Sequence, residues 1–591
     1  MDKLRFHIVD YVVMALFLVI STIIGIYYGF FKQQSTTEEY LLGGRRMHLF
    51  PVALSLLVTY QSAISVLGVP VEVYLHNMMF LYLYFAICLG YLIQALLIVP
   101  LVYPLRLTST YEYLGQRFQS RSVQLLGTVI GMLQTLLYMS IVLLAPALAL
   151  EAVAGVPLWL SVIIIGAIGT NFLHPFFGKI KTFYRMHELY YFLQSINCLF
   201  KGGLRTVIWT DVFQFVVLYG GLMVILVMGG IKVGGFTKIF ELAYEGERTA
   251  FNKMSGDPRV RHTVVGLLIG GIFQWLPNCC NQPAVQRICS MRSERDAKIS
   301  TYLTIPLMLV YGVILTITGL LLYAYFVNEQ CCPIESGKVG NANQLMPYFV
   351  MHVLNDVPGL GGIFIAALFS GALSSLSSGI NSMSANTLQD ILVNCLENVT
   401  QQRKTMIAKV IVLAYGVLAV ILAYMARNLS GPVSQMALSA FGSAGGPVVG
   451  IFFLGAMFPQ ANWIYNTSHM TQTSAFMSTT VSTPTSDGHF PLYDMSYAYF
   501  GLFGFLLTMV IGLVVSFLSG RNKCQDIEAK YIFPYFRDFW KLENKEIPSS
   551  IPGSYTFEFK ENGKQQDDGD LKAELEKLNT IEIEVKKEHS P

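Results

Sequence analysis

Seven serines fall between Ser370 and Ser384 in the otherwise apolar stretch IFIAALFSGALSSLSSGINSMSANTLQDIL, residues 363–392. At helical spacing Ser370, Ser374 and Ser378 share one face and Ser375 and Ser377 flank it, so a helix of Ala, Leu, Ile and Gly carries a stripe of hydroxyls. Hydroxyl oxygens are hard ligands, and a dry site with few formal charges suits a monovalent cation, for which the adjacent Ser374 and Ser375 are the first candidates. The alternative is packing, because small residues let membrane helices approach closely and their hydroxyls bond backbone carbonyls. A second candidate is Asp211 in GGLRTVIWTDVFQF, with Gln214 on the same helical face. A carboxylate at that depth either serves a cation or caps the helix and pairs with Arg205. Tyr138 of LLYMSIVLLAPALAL adds a phenol that reaches an ion or satisfies a neighbouring backbone group.

The elements that must position these groups are membrane helices. The 591 residues are 53% hydrophobic and 13% charged, too apolar for a soluble chain of this size. A net charge of +3, with the basic residues sorted into loops, gives no patch for a nucleic acid. Twelve apolar segments can be drawn, near 8–31, 49–69, 78–104, 122–150, 156–170, 206–231, 262–286, 300–327, 359–393, 408–427, 433–457 and 497–519. The first is too long for a signal-peptide core and is expected to stay as a helix. With the N terminus outside, Arg45, Arg46, Arg106, Arg117, Arg121, Arg205, Arg287, Arg292 and Arg403 all fall in cytoplasmic loops, as the excess of basic residues on that side requires. On this reading no Lys or Arg lies within the core of a span. The nine cysteines show no metal-ligand spacing, and Cys331 and Cys332 fall in an outer loop.

Two spans are interrupted. In LSLLVTYQSAISVLGVPVEVY the residues Thr59, Gln61, Ser62 and Ser65 lead to Gly68 and Pro70, and GGIFQWLPNCCNQPAVQR is broken by Pro277, Asn278, Asn281, Gln282 and Pro283. Unwound backbone at membrane depth is tolerated against a cavity, where its carbonyls can hold Na⁺ or H⁺. Each interruption opens a group of five spans, the sequence pointer to an inverted-repeat transporter. Asn381 and Asp390 are read as capping or packing the cytoplasmic half of the serine helix.

TSTYEYLGQRF (108–118), GGLRTVIWTDVFQ (202–214), NQPAVQR (281–287) and SSLSSGIN (374–381) together resemble the sodium/solute symporter family, over about residues 8–520. The likeness is to its sodium-coupled monocarboxylate, multivitamin and iodide transporter branch. It implies an all-α, five-plus-five inverted-repeat fold like that of the bacterial leucine transporter, with an extra N-terminal helix, spans two to six and seven to eleven forming the repeats. It also implies a common sodium site at Ser374 and Ser375 by their hydroxyls and at Val58, Gln61 and Gly371 by their carbonyls. A second sodium or substrate group follows from Thr59, Ser65, Tyr138, Asp211, Gln214 and Gln282, with Tyr60 and Trp275 at the substrate. The implied activity is plasma-membrane symport of Na⁺ with a small organic anion, a monocarboxylate first and iodide, biotin or pantothenate as alternatives. Na⁺ is the coupling ion, and no other cofactor and no enzymatic activity are expected. A sodium-leak pathway, a nutrient sensor or an inactive splice form stays open as a different class.

The chain departs from the family pattern in three places. The seventh span reads LPNCC where relatives have a Tyr-Gly type of segment. Residues 171–201 form an aromatic-rich insertion where relatives have a short turn. Between Pro459 and Asn466 one crossing is missing, giving about 12 helices against 13, because residues 459–495 lack Lys and Arg and contain the glycosylation-type Asn466-Thr467-Ser468, whereas Arg521 and Lys523 suggest the inside. Asn428 is a second glycosylation candidate. Residues 521–591 read as a largely disordered cytoplasmic tail.

Overall fold

The computed structural model describes residues 7–27, 42–170, 203–354, 356–396, 399–427, 431–462, 495–518, 520, 522 and 527–542. Among the described residues every regular element is a helix. Each of the twelve expected spans coincides with one of them. They are α1 (Ile8–Ile26), the pair α2 (Leu49–Tyr60) and α3 (Ala63–Leu75), α4 (Met78–Val102), and then α5 (Glu112–Phe118), a short helix outside the spans. Next come α6 (Arg121–Ala154), α7 (Leu158–Thr170) and α8 (Gly203–Val233). The second half begins with the pair α9 (Gly271–Cys280) and α10 (Gln282–Cys289) and continues through α11 (Glu294–Asn328), α12 (Leu360–Asn386), α13 (Gln401–Ala426), α14 (Val433–Met457) and α15 (Phe500–Leu518).

Both interruptions are real, and both are built the same way. The two halves of the second span meet at 59° across Gln61 and Ser62, where Ser62 leaves the helical region (φ −95°, ψ 179°) and its hydroxyl accepts the Ile64 N–H at 3.2 Å. In the seventh span Asn281 is extended (φ −81°, ψ 168°), its side chain accepts from Ala284 N, and Pro283 follows in the first turn of α10. A polar residue that caps the new helix stops each one and restarts it. The prolines inside α3 and α9, Pro70 and Pro277, do not mark the breaks.

The serine helix α12 lies among its neighbours at distances only small residues allow. A methyl group built on Gly362 would lie 2.4 Å from Asp10 O of α1, and one on Gly379 would lie 2.6 Å from Met139 Sδ of α6. One on Gly371 would lie 3.1 Å from both Gln61 O and Ala63 N, at the break in the second span. Glycine therefore brings the hydroxyl stripe against the unwound backbone.

Helices α14 and α15 run parallel. Gly446 abuts Gly501, Gly450 abuts Thr508, and Leu454 abuts Gly512, so the contacts advance together along both helices. Both end at the face rich in basic loops: Arg117 of α5 donates to Gly455 O (2.7 Å) and Phe458 O (2.8 Å), and Asn522 N donates to Gln460 O (3.2 Å). At the opposite face Ser496 N donates to Pro258 O (2.9 Å), just ahead of α15. Residues 463–494, which include Asn466 and part of the stretch where a crossing is expected to be missing, lie outside the described residues. So do Asn428 and the insertion 171–201. The tail is packed further than the sequence reading allowed: Phe533 is fully buried, its N–H donates to Ala456 O (2.9 Å), and Trp540 Nε1 donates to Met457 O (2.8 Å). Phe533, Phe536 and Tyr531 join the same apolar cluster as Phe452 and Phe453, and charge-rich flanks hide this aromatic run in sequence.

Candidate functional site

Where the second span unwinds, its carbonyls lose their helical partners. Ser375 Oγ donates to Thr59 O at 2.8 Å and Tyr138 OH to Tyr60 O at 3.4 Å, while Gln61 N turns back to Val58 O at 3.2 Å. Val58, Gln61, Gly371 and Ser375 are thereby brought together at one place in the interior. Ser374, the next residue on α12, points to a different group and donates to Asp211 Oδ1 at 2.5 Å.

Asp211 is the centre of a second, fully buried network. Its other oxygen accepts from Ser55 Oγ at 2.5 Å and from Arg287 Nη2 at 2.9 Å. Arg287 also donates to Ser55 Oγ (2.7 Å), Ser378 Oγ (2.8 Å) and Pro283 O (3.0 Å). The expectation that no span carries a basic residue is therefore corrected: Arg287 sits in α10, 1% exposed, and not in a loop. The apolar count ends the seventh span at residue 286, whereas the broken helix continues through Cys289. Arg205, the alternative partner for Asp211, instead donates to Gly43 O (3.0 Å). One carboxylate, one guanidinium and three serine hydroxyls from α2, α8, α10 and α12 thus share a buried compartment next to the break. A buried charge demands such partners, since removing either ion leaves the other uncompensated.

The remaining candidates divide. Thr59 Oγ1 returns to Ser55 O of its own helix (2.6 Å), and Ser65 Oγ meets Tyr311 OH (2.8 Å) and Ser62 O (2.8 Å). Gln214 offers its carbonyl to Ser370 Oγ (3.1 Å) and keeps a buried, unbonded Oε1. Gln282 lies apart from the Asp211 group: its amide accepts from Thr110 N (2.7 Å) and donates to Thr108 O (2.6 Å), bracing the TSTYEYL segment against α10. That segment is also tied to the end of the serine helix, where Asp390 accepts from Ser109 (2.6 Å), Gln124 (2.8 Å) and Thr128 (3.0 Å). Asp390 is thus a packing carboxylate. Tyr60 OH donates to Asn278 O (3.0 Å), hydrogen-bonds Asn281, and sets its ring edge-on to Trp275 at 5.7 Å, so the two breaks touch. Sequence reading missed Ser55, placed Arg287 in a loop, and took Asn278 only as part of the helix break. Ser55 alone had a signal, one turn before Thr59 on the same face.

A sequence model of the Sodium:solute symporter family matches residues 40–181 and 189–464, and the chain belongs to this family. The unmatched residues 182–188 fall inside the 171–201 insertion. Human "Sodium-coupled monocarboxylate transporter 1" is 36% identical over 580 residues, covering 89% of this chain and 90% of the relative. The rabbit (Oryctolagus cuniculus) "Sodium-dependent multivitamin transporter" is 35% identical over 575 residues, covering 90% and 85%. Among solved structures, a Na⁺-coupled sialic acid symporter in its substrate-bound outward-open state matches with a TM-score of 0.69 at 22% identity, over 88% of this chain and all of that one. That likeness fixes the fold as the five-plus-five repeat, with α2–α8 as the first half, α9–α14 as the second and α1 as the extra helix.

Proposed function

We propose that this chain is a plasma-membrane symporter that couples Na⁺ entry to uptake of a small organic anion, a monocarboxylate first, by alternating access. The observation that carries the reading is the meeting of the unwound Gln61–Ser62 backbone with Gly371 and Ser375, next to the buried Asp211. Na⁺ would take the hydroxyls of Ser374 and Ser375 and the carbonyls of Val58, Gln61 and Gly371. Asp211, Ser55 and Ser378 would serve a second cation or hold the inner half of the path shut through Arg287. Thr59, Ser65, Tyr138 and Gln214 would contribute to a second sodium or substrate group, and the substrate would lie beside the Tyr60–Trp275 contact. Each charge crossing 100 mV supplies about 2.3 kcal/mol, before the concentration gradient is added. Ion and substrate that stabilise one closed state raise each other's affinity by linkage.

The multivitamin relative supports a second reading, in which the anion is a carboxylated vitamin. Uptake of labelled lactate, nicotinate, biotin and iodide into vesicles, with and without an inward Na⁺ gradient, separates these readings. Absence of Na⁺-driven uptake for all four would leave a sensor or leak pathway.

A further inference from the structure

Outside the ion path, the short helix Phe236–Glu245 (FTKIFELAYE) follows α8 on the outer face. Gly234 and Gly235, at φ +103° and +108°, turn the chain sharply at the end of α8, in a backbone region open to glycine and strained for other residues. The helix then packs on the outer end of α11, where Lys238 Nζ donates to Asn328 Oδ1 at 2.9 Å and Gly246 abuts the Tyr323 hydroxyl. At 100° per residue its side chains fall into three sectors. Leu242, Ile239 and Ala243 form the first, and Ile239 and Ala243 are fully buried. Phe236, Phe240 and Tyr244, each four residues apart, form the second and are 48%, 43% and 76% exposed. Thr237, Glu241, Glu245 and Lys238 fill the third, and all four are exposed.

A helix lying between a protein core and water needs only the sector facing the core to be apolar. Here the apolar arc is about 200° wide, and its extra part is a row of aromatic rings next to the polar sector. Protein, hydrocarbon and water meet in that order around a helix lying flat at the membrane surface. Its depth agrees, because it leaves the end of one span, α8, and lies beside the end of another, α11. The exposed side of α8, formed by Val216, Met223, Val227 and Ile231, leads up to it. A methyl built on Gly230 would lie 3.6 Å from Phe236 Cζ, so the aromatic row continues the lipid-facing surface of α8. We infer that Phe236, Phe240 and Tyr244 insert into the outer leaflet at the boundary between headgroups and acyl chains, and that this helix anchors the outer end of α8, the helix carrying Asp211, to the bilayer surface. Aromatic side chains favour that depth, where the ring is in hydrocarbon and the Tyr244 hydroxyl reaches water. A row about 12 Å long is too small for a stable contact between proteins. Glu241 and Glu245 on the wet face make the hold apolar, so it does not require anionic lipid.

The test is fluorescence of the purified full-length chain in phosphatidylcholine nanodiscs, with Phe240→Trp and Glu241→Trp each read as the difference from the wild type and its five tryptophans. The emission added by Phe240→Trp should be blue-shifted, should lose most of its intensity to lipids brominated high on the acyl chain and less to lipids brominated at the chain end, and should resist acrylamide. The emission added by Glu241→Trp should be red-shifted, quenched by acrylamide and indifferent to brominated lipid. Should Phe240→Trp fail to fold, Tyr244→Trp, at the most exposed position of the row, should show the same quenching by lipid. Emission from the aromatic row that acrylamide quenches would place the row in water. Emission that neither quencher reaches would place it beneath a second copy or another segment of the chain, and either result overturns the assignment. Equal quenching of both faces by lipid, or stronger quenching from the chain end, also overturns it.

Discussion

Replacing Asp211 by Asn keeps the shape of the side chain and removes the only carboxylate bonded to Arg287 among the described residues. Ser55, Ser378 and Pro283 O still accept from the guanidinium, but a full positive charge stays 1% exposed with no counter-ion. Breaking a buried pair in this way costs about 3–5 kcal/mol, most of it the desolvation of the ion left behind. Arg287→Met should cost a similar amount, leaving Asp211 with two serine donors alone. Removing both charges leaves neither ion stranded, so Asp211→Asn/Arg287→Met should lie within about 1–2 kcal/mol of the wild type, giving a coupling of several kcal/mol where independent sites would add. Equilibrium unfolding in mixed micelles measures all four corners of the cycle, and Na⁺ titration of uptake measures function beside it. The double variant should fold and reach the surface yet lose Na⁺ coupling, because Asp211 also receives Ser374, a proposed sodium ligand. A double variant as unstable as the singles would refute the pairing argument. One that keeps wild-type Na⁺ dependence would refute the role of Asp211 in coupling.

Ser374→Ala and Ser375→Ala should each raise the Na⁺ concentration for half-maximal uptake with little change in surface expression; unaltered Na⁺ dependence in both would make these hydroxyls packing groups. Because α14 and α15 are parallel and both end at the basic face, a C-terminal tag should be reached by antibody only after permeabilisation. Labelling on intact cells would contradict that arrangement. At the opposite face His76 lies 3.7 Å from Glu72, yet burial, helped by Arg261 and Arg248, outweighs that attraction and lowers its pKa to about 4. The folded chain then binds this proton less readily than the unfolded chain, whose ordinary value is about 6.5, so stability present above pH 6.5 should be lost as pH falls toward 4. His76→Gln should flatten the decline in melting temperature between pH 7 and 5, and an unchanged slope would count against the assignment.

The fold was legible where local chemistry decides it. Capping residues stop and restart the two broken helices, and Ser62 and Asn281 stand in the sequence beside the unwound residues they serve. The hydroxyl stripe was equally legible, because Ser370, Ser374 and Ser378 repeat at the helical period. What the sequence hid are pairings made across the fold. Arg287 follows an apolar run and is 76 residues from Asp211, so a count of hydrophobic residues places it in a loop, and only the packing of α10 against α2 and α12 returns it to the interior. For Gln282 the sequence offers NQPAVQR and the family likeness, whereas the contacts of its amide with Thr108 and Thr110 are visible only in the fold.

The most direct test of the central claim is accumulation of labelled L-lactate by proteoliposomes containing only this chain, under an inward Na⁺ gradient and again with K⁺ replacing Na⁺. The account predicts concentrative uptake that requires Na⁺ and collapses when a sodium ionophore dissipates the gradient. Uptake that is equal in the two salts, or no uptake above empty vesicles, would contradict it.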